Sequence, residues 1–309
     1  MTRASLLRLV GGLALLLLLV WRFGTGPFAD AWPRATTGSI AAAVALTGLA
    51  TLANAWRWRV IARALGVPLT TRASIAAYYR SQFLNATLPG GVLGDAHRGL
   101  RHGRDAGDLG AGLRATVWDR VTGQLVQVLL LSLALVLLPT PLRADAPVAV
   151  AGLVVVALLA AWLGRRRGAL GFVGRDQRVL LRPGVVARLV LASAGSTAAH
   201  VAVFLVAVRS VGVDAGPALL VTVALVALVG SAIPLNVAGW GPREGVTAGV
   251  FALAGLGSAT GLTVSIVFGV LAAVSTLPGV VVLVADVVVR RRAPAAAEPA
   301  RTLQGAHHG

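Results

Sequence analysis

The chain has 309 residues, of which 57% are hydrophobic and only 13% are charged, and its mean hydropathy is +0.82. A soluble domain of this length could not bury so many continuous apolar runs. The composition therefore excludes a soluble protein and predicts an all-α, polytopic membrane protein. All 28 basic residues are arginines against 11 acids, and because they lie in short loops between apolar segments, they predict contact with anionic lipid headgroups rather than with nucleic acid.

The first apolar segment, residues 6–20, predicts a membrane helix that is either retained or cleaved. The sequence Ala29-Asp30-Ala31 offers a cleavage site like that of a signal peptide, but the many later spans make an uncleaved first helix equally natural. A second span covers residues 38–53. Directly after it, arginine and tryptophan alternate in a pattern typical of an aromatic and basic belt at the membrane interface: Trp56, Arg57, Trp58, Arg59 and Arg63.

A mostly apolar lead-in, residues 74–88, stops abruptly at Pro89-Gly90-Gly91. Proline removes a backbone donor and glycine frees the backbone, so the helix is expected to end there. Asp95 and Arg98 follow at once. In hydrocarbon, non-helical backbone is tolerated only where it is buried in protein or lines a wet cavity. Residues 89–98, the first break, are therefore a candidate site.

The middle of the chain alternates between charged connectors and apolar spans. A polar, arginine-rich connector at residues 99–114 precedes a span at about residues 121–138, and we expect Asp119 and Arg120 to open that span at the cytoplasmic interface. Residues 148–164 and 189–208 are two further spans, with an arginine-rich loop between them.

Residues 234–244, the second break, repeat the features of the first. Residues 217–233 lead into it and residues 245–257 lead out of it. Both breaks contain the pattern P-x4-G-x3-R, formed by Pro89, Gly94 and Arg98 in the first and by Pro234, Gly239 and Arg243 in the second. Paired interrupted segments in corresponding halves indicate a transporter's binding site. The G-x-x-x-G spacings near both breaks, at Gly90/Gly94 and Gly241/Gly245/Gly249, predict close helix packing.

The last apolar stretch, about residues 262–289, is expected to kink at Pro278 and to stop at three consecutive arginines. We expect residues 293–309 to form a disordered cytoplasmic tail. If the N-terminus lies inside and the first break is re-entrant, all but five of the 28 arginines face the cytoplasm, and so do both termini. The five exceptions are Arg22, Arg34, Arg143, Arg209 and, at the second break, Arg243.

This topology gives the two halves opposite orientations. We therefore expect residues 1–292 to form one bundle of about six to eight membrane helices, built as two inverted repeats with one re-entrant Pro/Gly-broken segment each. In the rival tracing, residues 217–233 and 245–257 are two full spans. Both tracings leave the C-terminus inside, so both stay open.

The breaks predict a site for a charged headgroup. Each combines a helix N-terminus, whose N–H groups and dipole favour phosphate, with an arginine, Arg98 or Arg243. Asp95 and Glu244 would meet the amine of a zwitterionic or aminoacylated headgroup. Alternatively, these acids and arginines only neutralise one another or tie the breaks to neighbouring helices. The candidate substrate-binding residues are Asn85, Pro89, Gly90, Gly91, Gly94, Asp95, Arg98, Asp119, Arg120, Asn236, Gly239, Trp240, Arg243 and Glu244.

The sequence contains no recognisable catalytic or metal-binding constellation. It has no cysteine, and it lacks the H-E-x-x-H, G-x-S-x-G and P-loop motifs. We therefore expect a protein that is not an enzyme, holds no metal and needs no cofactor.

Four stretches resemble the transmembrane region of lysylphosphatidylglycerol synthases: W-R-W-R at 56–59, N-A-T-L-P-G-G-V-L-G-D-A-H-R at 85–98, W-D-R at 118–120 and P-L-N-V-A-G-W-G-P-R-E-G at 234–245. The resemblance covers roughly residues 6–292. In two-part members a soluble C-terminal domain makes the aminoacyl lipid and the membrane domain moves it to the outer leaflet. The family also contains standalone flippase-like proteins, and because this chain stops after a short tail, we expect one of those. Asp119 stands where the family often has Glu.

Together, the residues and the resemblance predict an alternating-access lipid flippase of the cytoplasmic membrane. Its cargo would be a modified phospholipid or a polyprenyl-phosphate-linked lipid, so membrane lipids with anionic or modified headgroups are the expected partners. The alternative is a non-transporting membrane subunit that presents a lipid to a partner synthase or glycosyltransferase.

Overall fold

A computed structural model describes residues 21, 24–88, 91–138, 142, 173–232 and 241–292, and every regular element in these residues is a helix. The predicted spans at residues 6–20 and 148–164 and the tail at residues 293–309 lie outside them. A 3-10 turn, Trp32–Arg34, follows the first helix. The α-helices of the described residues are α1 (Gly26–Ala31), α2 (Thr37–Ala64), α3 (Thr71–Thr87), α4 (Leu93–Asp105), α5 (Leu109–Leu137), α6 (Val173–Leu180), α7 (Pro183–Val211), α8 (Pro217–Ser231), α9 (Pro242–Leu253), α10 (Ser258–Ser275) and α11 (Pro278–Arg292).

Four stretches of the described chain are long and apolar enough to cross a membrane. They are α2, α5, α7 and the stretch Ser258–Asp286, which joins α10 to most of α11. Each has 28 or 29 residues, which corresponds to about 42 Å of helix, more than the ~30 Å of a hydrocarbon core. The prediction of an all-helical, multi-pass membrane protein is therefore confirmed for the described residues.

Local sequence signals set the helix starts. The side chains of Thr36, Thr70 and Asp108 each accept a hydrogen bond from the backbone N–H three residues later, at 3.3, 3.2 and 2.8 Å, and so cap α2, α3 and α5. Proline is the first residue of α7, α8, α9 and α11, where its missing N–H costs no helical hydrogen bond. The interruption predicted at Pro278 is thus a boundary between two helices.

Charged stretches are more helical than the sequence predicts. The connector predicted at residues 99–114 is wrong, because α4 continues to Asp105 and α5 already begins at Leu109. Asp119 and Arg120 consequently lie within α5 instead of opening a span. Hydropathy does not predict this helical start of α5, because Asp119 and Arg120 are charged. Inside the bundle, however, both pair with charged residues of opposite sign on other helices.

The two halves of the described chain have matching helix contacts. In the first half α3 packs on α4, which packs on α5; in the second half α8 packs on α9, which packs on α10. The broken helices also match in length, with 17 and 13 residues for α3 and α4 and 15 and 12 residues for α8 and α9. Helices α2 and α7 pack along each other, and both contact α5 and α10, so they join the halves.

Glycines hold α4 against both of its neighbours. A Cβ atom on Gly112 of α5 would lie 2.4 Å from the Cα atom of Gly103, and a Cβ atom on Gly94 would lie 2.1 Å from the carbonyl oxygen of Ser81 on α3. The backbones therefore touch where any larger residue would push them apart. By contrast, Gly249 of α9 has no described atom within 4 Å of its Cβ position, so the close packing predicted near both breaks is found at Gly94 but not at Gly249.

Candidate functional site

Side chains from three other helices converge on Asp119 of α5. This carboxylate is 1% exposed. It accepts hydrogen bonds from Nε of Arg57 on α2 at 2.8 Å, from Nη2 of Arg98 on α4 at 2.9 Å, and from the hydroxyl group of Tyr78 on α3. Asp119 therefore ties together the helices on either side of the first break.

A second carboxylate, Asp95, extends this arrangement. It accepts hydrogen bonds from the Ser81 hydroxyl at 2.8 Å, from Nη2 of Arg98 at 3.1 Å and from Nε of Arg120 at 2.6 Å. Nη2 of Arg120 also donates to the carbonyl oxygen of Gly91 at 2.9 Å. The five charged residues form one continuous unit, which we call the first-break network: Arg57, Asp95, Arg98, Asp119 and Arg120.

The first-break network has an uncompensated positive charge. It contains three arginines and two aspartates, so with all five groups ionised its net charge is +1. The Arg98 guanidinium is buried over the rings of Trp58 and Tyr78, with its central carbon 4.4 and 4.0 Å from their centroids. Its Nε and Nη1 atoms have no hydrogen-bond partner among the described residues. The network can therefore accommodate one further anion without acquiring a net negative charge.

Aromatic rings close one side of the network. Trp58 meets Tyr78 and His102 edge to face, with ring centroids 6.1 and 5.2 Å apart. Nε2 of His102 donates to the carbonyl oxygen of Val67 at 2.9 Å. Burial lowers the pKa of His102 by more than this hydrogen bond raises it.

Asn85 stabilises the chain around the first break. Its Oδ1 atom accepts from the backbone N–H of Gly94 at 2.8 Å, and its Nδ2 atom donates to Asp95 at 3.1 Å. Gly91 has a φ angle of 59°, which glycine adopts without strain. Pro89 and Gly90 lie outside the described residues. The N–H group of Gly94 already donates to Asn85, and the carboxylate of Asp95 in the first turn of α4 would repel an anion. An anion would therefore bind to the arginines and not to the N-terminus of α4.

A polar cavity of about 270 Å³ lies beside the network. Its wall includes all five network residues, and helices of both halves complete it. The other polar residues in its wall include Asn54, Gln82, Gln124, Gln127, Ser196, Thr197 and His200, and the end of α8 contributes Leu228, Ser231 and Ala232. The candidate residues Asn85, Asp95, Arg98, Asp119 and Arg120 are thus brought together around one cavity.

The charges of the second break pair with each other. Nε of Arg243 donates to Oε1 of Glu244 at 2.9 Å, and the hydroxyl group of Ser265 on α10 donates to the same oxygen at 3.3 Å. Oε2 of Glu244 accepts from the N–H of Gly241 at 2.6 Å and so caps α9. Arg243 and Glu244 are both buried and are not among the described residues that line the 270 Å³ cavity. Three further candidates lie outside the described residues: Asn236, Gly239 and Trp240.

Sequence reasoning missed Arg57, Tyr78 and Ser81 as parts of the site. The interfacial belt predicted at residues 56–63 is wrong for Arg57, which is 7% exposed, and for Trp58, which is fully buried. A helix turns by about 100° per residue, so neighbours in W-R-W-R lie on different faces. This helical spacing could have predicted the different burial, because it places Arg57 and the exposed Arg63 on different faces of α2.

Comparison with known proteins supports the resemblance that these motifs suggested. The family model described as the lysylphosphatidylglycerol synthase TM region matches residues 5–279. A search of curated proteins and a search of solved structures found no match. The matched region contains both breaks, the first-break network and helices α1 to α10 in full. On this evidence the chain belongs to the family of lysylphosphatidylglycerol synthase transmembrane regions.

Proposed function

We propose that the protein is a translocator that moves a lipid with an anionic or modified headgroup between membrane leaflets. The observation that carries this proposal is the 270 Å³ polar cavity beside a positively charged network, enclosed by helices long enough to span a membrane. Ionisable side chains within membrane bundles are costly to bury, and they commonly mark a substrate path.

The charge of the network suits a phosphate ester. A phosphodiester carries one negative charge, which is the charge that the first-break network lacks for neutrality. Arg120 is the network arginine best placed to meet this phosphate, because its side chain is 38% exposed whereas that of Arg98 is almost fully buried. Guanidinium groups bind phosphate oxygens through paired, charge-assisted hydrogen bonds.

The short helices beside the breaks support re-entrant segments. Helices α4 and α9 have 13 and 12 residues, about 20 and 18 Å of helix, which is too short for a ~30 Å hydrocarbon core. We assign α3–α4 and α8–α9 to two inverted repeats. Because α8 belongs to the second repeat and contributes to the cavity wall, a rocking movement between the repeats would open the cavity towards either leaflet.

Within this proposal the two breaks have different roles. The first break binds the headgroup through Arg120 and the groups around it. The second break holds α9 to α10 through Arg243, Glu244 and Ser265, and there the guanidinium group of Arg243 pairs with the carboxylate of Glu244. The headgroup therefore lies at the first break rather than midway between the two.

A leaflet-exchange assay tests the proposal. The purified full chain is reconstituted into liposomes that contain a phospholipid with a fluorescent label on its acyl chain, and a membrane-impermeant reductant bleaches the label in the outer leaflet. The wild-type protein is expected to make the whole label accessible, and Arg120→Gln is expected to slow this process about tenfold, as the loss of one charge-assisted contact would. Arg104→Gln, an exposed residue at the far end of α4, removes the same charge and should keep the wild-type rate.

A wild-type protein that leaves leaflet exchange at the rate of protein-free liposomes would contradict translocation. If that inactive protein also raises the activity of a co-purified synthase or glycosyltransferase, it is a lipid-presenting subunit.

A further inference from the structure

A second cavity, of about 320 Å³, lies between the end of α2 and the start of α7. On α2 its wall is formed by Trp56, Arg59, Val60 and Arg63, whose spacing of three, four and seven residues places them on one helix face. This face is different from the one that carries Arg57 into the first-break network. The other wall comes from α6 and the first turns of α7: Val179, Arg182, Val185 and Arg188.

The lining of this cavity is strongly and uniformly basic. It includes four arginines and no acidic residue among the described residues: Arg59, Arg63, Arg182 and Arg188. None of the four forms an ion pair with a described acid, whereas the arginines of the first-break network are all paired. Like charges four residues apart on a helix repel each other, as do Arg59 and Arg63. The arrangement therefore favours a bound anion.

Two further features strengthen the preference for an anion. The first turn of α7 contains no acidic residue, and the residue that precedes the helix is Arg182, so no acid in that turn offsets the positive end of the helix dipole. The remaining wall is apolar, with three valines and the partly exposed ring of Trp56. Tryptophan beside arginine at the end of a membrane helix is typical of the headgroup region of a bilayer.

We propose that this basic cavity binds the headgroup of an anionic phospholipid that carries two negative charges. This lipid stays bound to the protein as a resident lipid and is not transported. A single negative charge would leave three of the four arginines uncompensated, and basic pockets between membrane helices suit doubly charged headgroups. The valines and Trp56 contact the glycerol and the upper acyl chains. The inference is independent of the proposed translocation, because the basic cavity shares no lining residue with the 270 Å³ cavity.

Native mass spectrometry of the full chain in a non-ionic detergent tests the proposal. Cardiolipin, which has two phosphates, is compared with phosphatidylglycerol and phosphatidylcholine at equal concentrations. We expect cardiolipin to bind most tightly, and the double variant Arg63→Gln/Arg188→Gln to weaken its binding about tenfold or more. The matched control, Arg104→Gln/Arg209→Gln, also removes two exposed arginines from helices and should retain wild-type affinity within about twofold.

An equal loss of cardiolipin affinity in the two double variants would overturn the proposal, because net charge alone would then explain binding. Equal affinity of the wild-type protein for all three lipids would overturn it as well. If the double variant does not fold, the single variants Arg63→Gln and Arg188→Gln, on different helices, provide the same comparison. Inorganic pyrophosphate distinguishes a lipid from a free phosphate. Displacement of cardiolipin only at much higher pyrophosphate concentration supports a lipid ligand, and pyrophosphate binding as tight as that of cardiolipin would overturn it.

Discussion

The two breaks have the same sequence pattern but distribute their charges differently. At the first break, arginines and aspartates from α2, α4 and α5 pair across the bundle and border a cavity. At the second break, Arg243 pairs with the adjacent Glu244 and with Ser265, and the pair is buried between α9 and α10. An arginine whose acid is its neighbour in sequence is satisfied locally, whereas an arginine whose acids lie on other helices becomes part of a larger site.

The largest effect on stability is expected from Asp119→Asn. Removing the charge leaves Arg57 and Arg98 buried with one aspartate fewer between them, and breaking a buried ion pair costs about 3–5 kcal/mol. Thermal and denaturant unfolding in detergent micelles should show this loss. The control Asp214→Asn, at an exposed position, should unfold like the wild type. A stable Asp119→Asn protein would contradict the central role of this carboxylate.

A smaller effect is expected from glycine substitutions that compare the two breaks. In Gly94→Ala the new Cβ atom would overlap the carbonyl oxygen of Ser81, so α3 and α4 must separate at a cost of about 1–3 kcal/mol. Gly249→Ala places its Cβ atom in open space within a helix, where alanine is favoured over glycine by up to about 1 kcal/mol. Unfolding midpoints should therefore move in opposite directions. A shift in the same direction for both variants would show that the breaks pack alike.

The smallest effect on stability, and the sharpest comparison of roles, is expected from two serine variants. Ser81→Ala and Ser265→Ala each remove a hydroxyl that donates to a carboxylate, Asp95 or Glu244. Because each carboxylate keeps its other donors, each variant should lose only about 1 kcal/mol of stability. Only Ser81→Ala should also slow leaflet exchange, because Ser81 lines the cavity beside Arg120. Equal slowing by both variants would mean that the second break also serves the substrate.

The sequence predicts those features of the fold that depend on local chemistry. Hydropathy identifies the spans, and proline and glycine mark the first break, so Asp95, Arg98, Asp119 and Arg120 can be chosen as candidates. Partners distant in sequence cannot be predicted in this way. Arg57 and Asp119 are 62 residues apart, and their pairing depends on how α2 packs against α5. Similarly, the shared pattern P-x4-G-x3-R suggests equal roles for two breaks whose acids are in fact placed differently.

The glycine contacts of α4 also restrict how the protein can change shape. Two helices that touch through side chains can slide as rotamers change, but a bare backbone has no such freedom. Because Gly94 holds α4 to α3, and Gly103 and Gly112 hold it to α5, the three helices have to swing as one lever. One surface of this lever faces α8, where flexible side chains such as Leu228 line the cavity and leave room for such a movement.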